Sequence, residues 1–120
     1  MEFKNDKPIY RQITDYAFGC ILSGSWAPGC RVPSVRELAV EMGVNTHTVL
    51  KAYEELEARG IIAPRRGMGF FLADDARGRV DAERREEFFS DVLDNVFETM
   101  DQLGITIDQL VEHYRQLHSN

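Results

Sequence analysis

Between Val32 and Leu56 the chain reads VPSVRELAVEMGVNTHTVLKAYEEL, and this stretch constrains the fold more than any other. It predicts two short helices joined by a tight turn. Ser34 stands three residues before Glu37, the S-x-x-E spacing in which the hydroxyl caps the helix start and the carboxylate reaches back. Val35, Leu38, Ala39 and Met42 then recur on one side at helical spacing. Gly43 stops that helix, because glycine enters the left-handed region at little cost. Val44 is placed to turn inward between the helices. Asn45 restarts the chain as an N-cap, and Val49, Ala52, Tyr53 and Leu56 form the next buried stripe. Two helices of about two to four turns around a glycine turn make a helix-turn-helix.

The second helix turns His47, Leu50, Lys51 and Glu54 away from its core side, at about 100° per residue. Asn45, Thr46, His47 and Thr48 lie at its N-terminal end, the end that enters a major groove when such a motif binds DNA. Polar side chains there can bond phosphates or base edges, and free N–H groups add an anion site. By themselves these residues are equally well ordinary caps and solvent contacts. The residues after Leu56 tip the balance. Gly60 closes the helix, Ile61 to Ala63 read as a strand, Pro64 to Gly69 as a turn, and Phe70 to Leu72 as a returning strand. The turn carries Arg65, Arg66, Gly67 and Gly69. Glycines let a backbone approach a duplex closely, and arginines suit phosphates or a narrow minor groove.

Upstream, a helix is expected from Pro8, a residue favoured in a first turn, with Ile9, Ile13, Ala17, Cys20 and Ile21 inward. It should end in LSGSWAPG, where Trp26 is expected to pack against the helix-turn-helix. The run PG-x-R-x-PS-x-RELA, then GVN-x-x-TV-x-KAY-x-x-L, then GI followed by a basic pair and G-x-GFF, completes a pattern over residues 8–73. In that order and spacing it resembles the winged helix DNA-binding domain of GntR-type bacterial transcription regulators. The resemblance implies that the arm RVPS crosses beside the wing as a small strand. Arg31 on that arm is placed for a phosphate or, equally, for a surface ion pair. Carried over by position, the family's DNA contacts fall on Arg36, Asn45, Thr46, His47, Thr48 and Gly67. His47 stands where relatives often have asparagine, and Leu50 where many have arginine, so base preference is expected to differ. Arg31, Lys51, Arg65 and Arg66 complete the expected DNA-binding set.

A net charge of −6 looks unfavourable for a DNA binder, so its placement matters. Residues 1–77 hold ten basic and ten acidic side chains, whereas residues 78–120 hold four and ten. The excess acid therefore lies in the last third. Beyond a Debye length of roughly 8 Å it weakens phosphate binding little.

That last third predicts a polar linker, Asp74 to Val80, followed by a long helix from about Asp81 to Leu103. Phe89, Leu93, Val96, Met100 and Leu103 keep the seam rhythm of one helix on another, and Phe88, Val92 and Phe97 widen it. Gly104 ends this helix. Thr106 and Gln109 cap a final one, whose Leu110, Val111, Tyr114 and Leu117 are expected to line its buried side. Two helices of roughly forty residues enclose too little surface for a separate core. The expectation is a homodimer formed through Phe88, Phe89, Val92, Leu93, Val96, Phe97, Met100, Leu110 and Tyr114. Short tails of this kind resemble the YtrA-type GntR subfamily, in which the helices dimerise.

The expected architecture is mainly α with a small β wing: a winged helix-turn-helix at 1–75, then a two-helix C-terminal dimerisation hairpin at 76–120. The expected function is sequence-specific DNA binding, by a homodimeric repressor of an inverted-repeat operator. Two rivals are an effector bound among Phe88, Phe89, Phe97 and Tyr114, and a protein-interaction module favoured by Glu54, Glu55 and Glu57. No cofactor or metal is expected; His113 and His118 point about 140° apart on a helix. No nucleophile triad, phosphate loop or paired-carboxylate pocket can be placed, which argues against an enzyme. No apolar run reaches membrane-span length, and MEFKNDKPIY lacks a signal-peptide pattern, so a cytoplasmic protein is expected. Cys20 and Cys30 have neither C-x-x-C spacing nor a disulfide framework.

Overall fold

The structure, a computed structural model, describes residues 8–119. Helix α1 (Ile9–Ser23) starts one residue later than the sequence indicated, with Pro8 as its N-cap. The Pro8 carbonyl accepts from the N–H of Arg11 at 3.0 Å and of Gln12 at 3.3 Å. The inward face of α1 is Gln12, Ile13, Thr14, Ala17, Phe18 and Ile21. Ile9 instead remains 47% exposed and Cys20 only half-buried, because the helix presents Phe18 to the core in their stead.

Helix α2 (Val35–Met42) carries both halves of its capping box. The Glu37 N–H donates to Ser34 Oγ and the Ser34 N–H to Glu37 Oε1, each at 3.0 Å. Gly43 closes α2 at φ 68°. Asn45 then caps α3 (Thr46–Ala58), its Oδ1 accepting from the His47 N–H at 2.8 Å. Val49, Ala52, Tyr53 and Leu56 are fully buried, as the stripe requires.

Tyr53 ties the layers together. Its ring meets Trp26 edge-on at 6.4 Å and Phe70 at 5.4 Å, and its hydroxyl donates to the Pro33 carbonyl at 2.6 Å. Burial pushes its phenol pKa well above the ordinary value. Trp26 thus packs against the helix-turn-helix as expected.

The wing is an antiparallel pair, β1 (Ile62–Arg65) and β2 (Gly69–Leu72), in register from Ile62 opposite Leu72 to Arg65 opposite Gly69. Pro64 and Arg65 belong to the strand rather than to the turn, which is shorter than the sequence indicated. Pro64 is tolerated because an edge strand needs no N–H there. The arm before α2 lies along β2. Arg31 bridges Phe71, the Gly29 and Val32 N–H groups donate to Leu72 and Phe70, and the Leu72 N–H donates to Cys30.

The stretch read as a linker is not one. Helix α4 (Ala76–Glu87) begins inside it, and Ala76 and Val80 are fully buried in the winged helix core. Two apolar residues four apart among charges suffice, because they share one helix face. An ion pair from Arg79 to Asp75 at 2.9 Å and another from Arg59 to Glu83 at 3.2 Å lie together on the neighbouring face of the helix, since residues four apart share a face. The long helix therefore starts five residues before Asp81, and it is not uniform: Phe88–Val92 form a π-helical turn before α5 (Leu93–Leu103). Such a turn takes one extra residue, so it breaks the seam rhythm read through Phe89 and Leu93. Helix α6 (Ile107–His118) follows, capped by Thr106 and Gln109.

The contacts divide the chain into two compact units between Glu83 and Arg84, whereas sequence polarity placed a boundary after residue 75. Among the described residues of the second unit only Met100 is buried; Leu93 and Leu110 are half-buried. Phe88, Phe89, Val92, Val96, Phe97 and Tyr114 are exposed, with Phe89 and Tyr114 each 63% accessible. Val111 and Leu117, read as lining a buried side of α6, are exposed too, since no described residue of α6 is buried within this unit. No helix among the described residues is long and apolar enough to cross a membrane.

Candidate nucleic-acid interface

The capping of α2 and α3 aims one end of each helix outward. Arg36, at the start of α2, and Thr46, His47 and Leu50, at the start of α3, line one shallow hollow together with Val35. His47 also borders a second notch, shared with Ile9, Tyr10, Thr48 and Lys51. Six of the residues expected to meet DNA or to set its base preference are thereby brought to one end of α3. Asn45 is there as well, but its carbonyl oxygen is committed to the cap, which leaves its amide N–H groups for an outside partner.

The remaining cations divide in two. Arg36 and Arg66 make no ion pair among the described residues. Arg31 pairs with Glu37 at 3.4 Å, so of its two sequence-level readings the surface ion pair is the one realised in this state. Hydrogen bonds from Ser34 first, and the Arg31 charge to a lesser degree, hold the Glu37 carboxyl below its usual pKa. The Arg65 guanidinium lies over the Phe71 ring at 4.0 Å, on the strand instead of the wing tip. The tip itself is Arg66, Gly67 and Met68, with Met68 exposed.

Arg31 also fills the space beside Gly69. A Cβ at Gly69 would stand 3.1 Å from Arg31 Nε, and the backbone there has φ 92°. Gly69→Ala is therefore expected to lose about 1–3 kcal/mol of stability. Chemical denaturation checks it, and an unchanged midpoint would remove the strain argument.

Sequence reasoning missed Tyr10 and Val35 at this surface. Tyr10 is remote from α3 in the chain, so no local periodicity reports its contact with Lys51, whose Nζ sits 4.2 Å from the ring centroid. Phe88, Phe89, Phe97 and Tyr114, the four aromatics expected around an effector, do not border the apolar hollow found among the described residues of the second unit. The apolar hollow in the second unit is bordered by Val92, Asn95, Val96, Thr99, Met100, Ile105 and Leu110. His118 stacks on Tyr114 at 4.1 Å, and among the described residues no group of three or more His, Cys, Asp or Glu side chains is placed to hold a metal.

A two-strand wing beside a capped helix-turn-helix makes residues 9–72 a winged helix. Residues 9–72 match the family of bacterial regulatory proteins described as gntR. The chain belongs to the GntR family. This GntR protein is 32% identical over 117 residues to the HTH-type transcriptional repressor YtrA of Bacillus subtilis, a match covering 98% of this chain and 89% of that one. Its fold matches a GntR family transcriptional regulator from Listeria monocytogenes with a TM-score of 0.77 at 32% identity, over 95% of this chain and 98% of that one. The DNA-binding domain of AraR, solved in complex with operator ORX1, matches 60% of this chain and 93% of its own length, with a TM-score of 0.56 at 28% identity. This GntR protein is accordingly a helix-turn-helix transcription regulator.

Proposed function

We propose that this GntR regulator acts as a homodimeric repressor of an inverted-repeat operator, each subunit laying the start of α3 in a major groove. The observation that carries the proposal is the outward hollow formed by Arg36, Thr46, His47 and Leu50. Small polar groups at a helix start can meet base edges, and Leu50 can meet a thymine methyl. Lys51, Thr48, Asn45 and the wing residues Arg66 and Gly67 would take adjacent phosphates. Arg31 and Arg65 would join them by giving up exposed intramolecular contacts, which are worth little in water. The operator complex of AraR supports the DNA role, and the name of YtrA supports repression.

Dimerisation is supported by the second unit, whose aromatic and aliphatic side chains are more exposed than a lone helix pair tolerates in water. Phe88, Phe89, Val92, Val96, Phe97 and Tyr114 would meet their counterparts, with Leu93, Met100 and Leu110 bracing them from within. Two-fold symmetry then requires half-sites about 34 Å apart. A second reading, an apolar effector, rests on the hollow around Val96 and Met100. A thermal shift of the dimer with apolar ligands would favour it, and no shift would count against it.

The test is selection of bound sequences from a random duplex pool, followed by titration of three variants. Arg36→Ala is expected to weaken binding to every duplex. Thr46→Ala and His47→Ala are expected to reduce the preference for the selected site by about 5- to 150-fold, the range of one lost base contact. Unchanged affinity and preference in all three would overturn the assignment.

A further inference from the structure

Lys51 is exposed on α3, but it is not loose. Its ammonium lies 4.2 Å from the centroid of the Tyr10 ring, inside the range of about 6 Å over which a cation is drawn to an aromatic face. Tyr10 is half-buried and packs on the hydrophobic core, so the ring is a fixed platform. Both residues border the notch that also holds His47 and Thr48, at the end of α3 that carries the proposed base contacts.

An unanchored lysine loses much rotamer freedom when it settles on a phosphate, and that loss weakens the contact. A ring face removes part of the freedom beforehand while leaving ammonium protons pointing away from the ring. We infer that Tyr10 is a positioning residue of the DNA interface, holding Lys51 over the notch so that its ammonium is preset for a backbone phosphate beside the base-reading end of α3. The inference rests on the DNA-binding role proposed above and deepens it. Tyr10 acts through Lys51, and α1 thereby takes part in recognition by an element outside the helix-turn-helix.

The experiment is salt-dependent binding of the full chain to a mixed-sequence duplex, since a phosphate contact is blind to sequence. Wild type is compared with Tyr10→Phe, Tyr10→Leu, Lys51→Met and the Tyr10→Leu/Lys51→Met double variant. Tyr10→Phe keeps the ring and should bind within about twofold of wild type. Tyr10→Leu should bind about fivefold more weakly. Lys51→Met should flatten the plot of log affinity against log salt by about 0.9, one phosphate's share. In the Lys51→Met background, Tyr10→Leu should cost nothing further. An equal loss in both backgrounds would make Tyr10 merely structural and overturn the inference, as would unaltered binding by Tyr10→Leu.

A readout without DNA separates the two levels. In the free protein the ring current of Tyr10 should shift the Lys51 ε-methylene protons upfield, in wild type and Tyr10→Phe but not in Tyr10→Leu. No such shift in wild type overturns the inference by itself. A shift accompanied by no salt-dependent duplex binding refutes the proposed function and, with it, the role of Tyr10.

Discussion

Phe89→Asp, combined with Phe97→Asp, is expected to yield a monomer in sedimentation and to lower affinity for an inverted-repeat duplex by at least about 100-fold. Both rings are exposed in the single chain, so the substitutions should leave its own helices intact by circular dichroism. In the proposed dimer they would bury carboxylates against an apolar face, which is strongly unfavourable without a partner. The loss of operator affinity follows from valency. Two linked heads make the second binding event intramolecular, and separated heads must each bind alone. A variant that stays dimeric, or a monomer that binds the full operator as well as wild type, would refute the assembly. Single half-site binding should change little, which separates loss of the dimer from damage to the winged helix.

The second large effect is expected at Tyr53. Tyr53→Ala should cost about 3–5 kcal/mol, the usual toll of removing a large buried aromatic. Its ring is fully buried between Trp26 and Phe70, so the loop after α1 and the wing strand both lose the side chain that joins them to α3. Against a total stability of about 5–15 kcal/mol, that is enough to unfold a substantial population near physiological temperature. Tyr53→Phe keeps the ring and loses only the hydroxyl's bond to the Pro33 carbonyl, for about 1 kcal/mol. Denaturation of the two variants side by side measures the ring and the hydroxyl separately. Equal losses would mean that the edge-to-face packing contributes little.

Capping and periodicity were readable because they are local. Ser34 with Glu37, Gly43, Asn45, and Thr106 with Gln109 each act within a turn of the chain, and each adopts its expected geometry. The buried stripe of α3 was equally plain, since residues three and four apart share a face whatever surrounds them. The start of α4 is not legible because Ala76 and Val80 are two apolar residues in a run of charge, and their worth depends on a core built by α1, α2, α3 and the hairpin. The π-helical turn at Phe88–Val92 was equally hidden, as the heptad count assumes a constant number of residues per turn.

Among the candidate contacts, residue identity told which side chains have the chemistry for DNA, while placement told which are free to use it. Arg31, Arg36, Arg65 and Arg66 are indistinguishable as letters. Folding sets Arg31 against Glu37 and Arg65 over Phe71, and leaves Arg36 and Arg66 without an ion pair among the described residues. The sequence alone determined the helix-turn-helix, its caps and its family, because short-range hydrogen bonding and side-chain period need no partner from afar. Only the tertiary structure decided the engagement of Arg31 and Arg65, the union of Tyr10 with Lys51 and the bracing by α4. Those depend on where distant segments meet, and that is settled by burying one shared core rather than by any local rule.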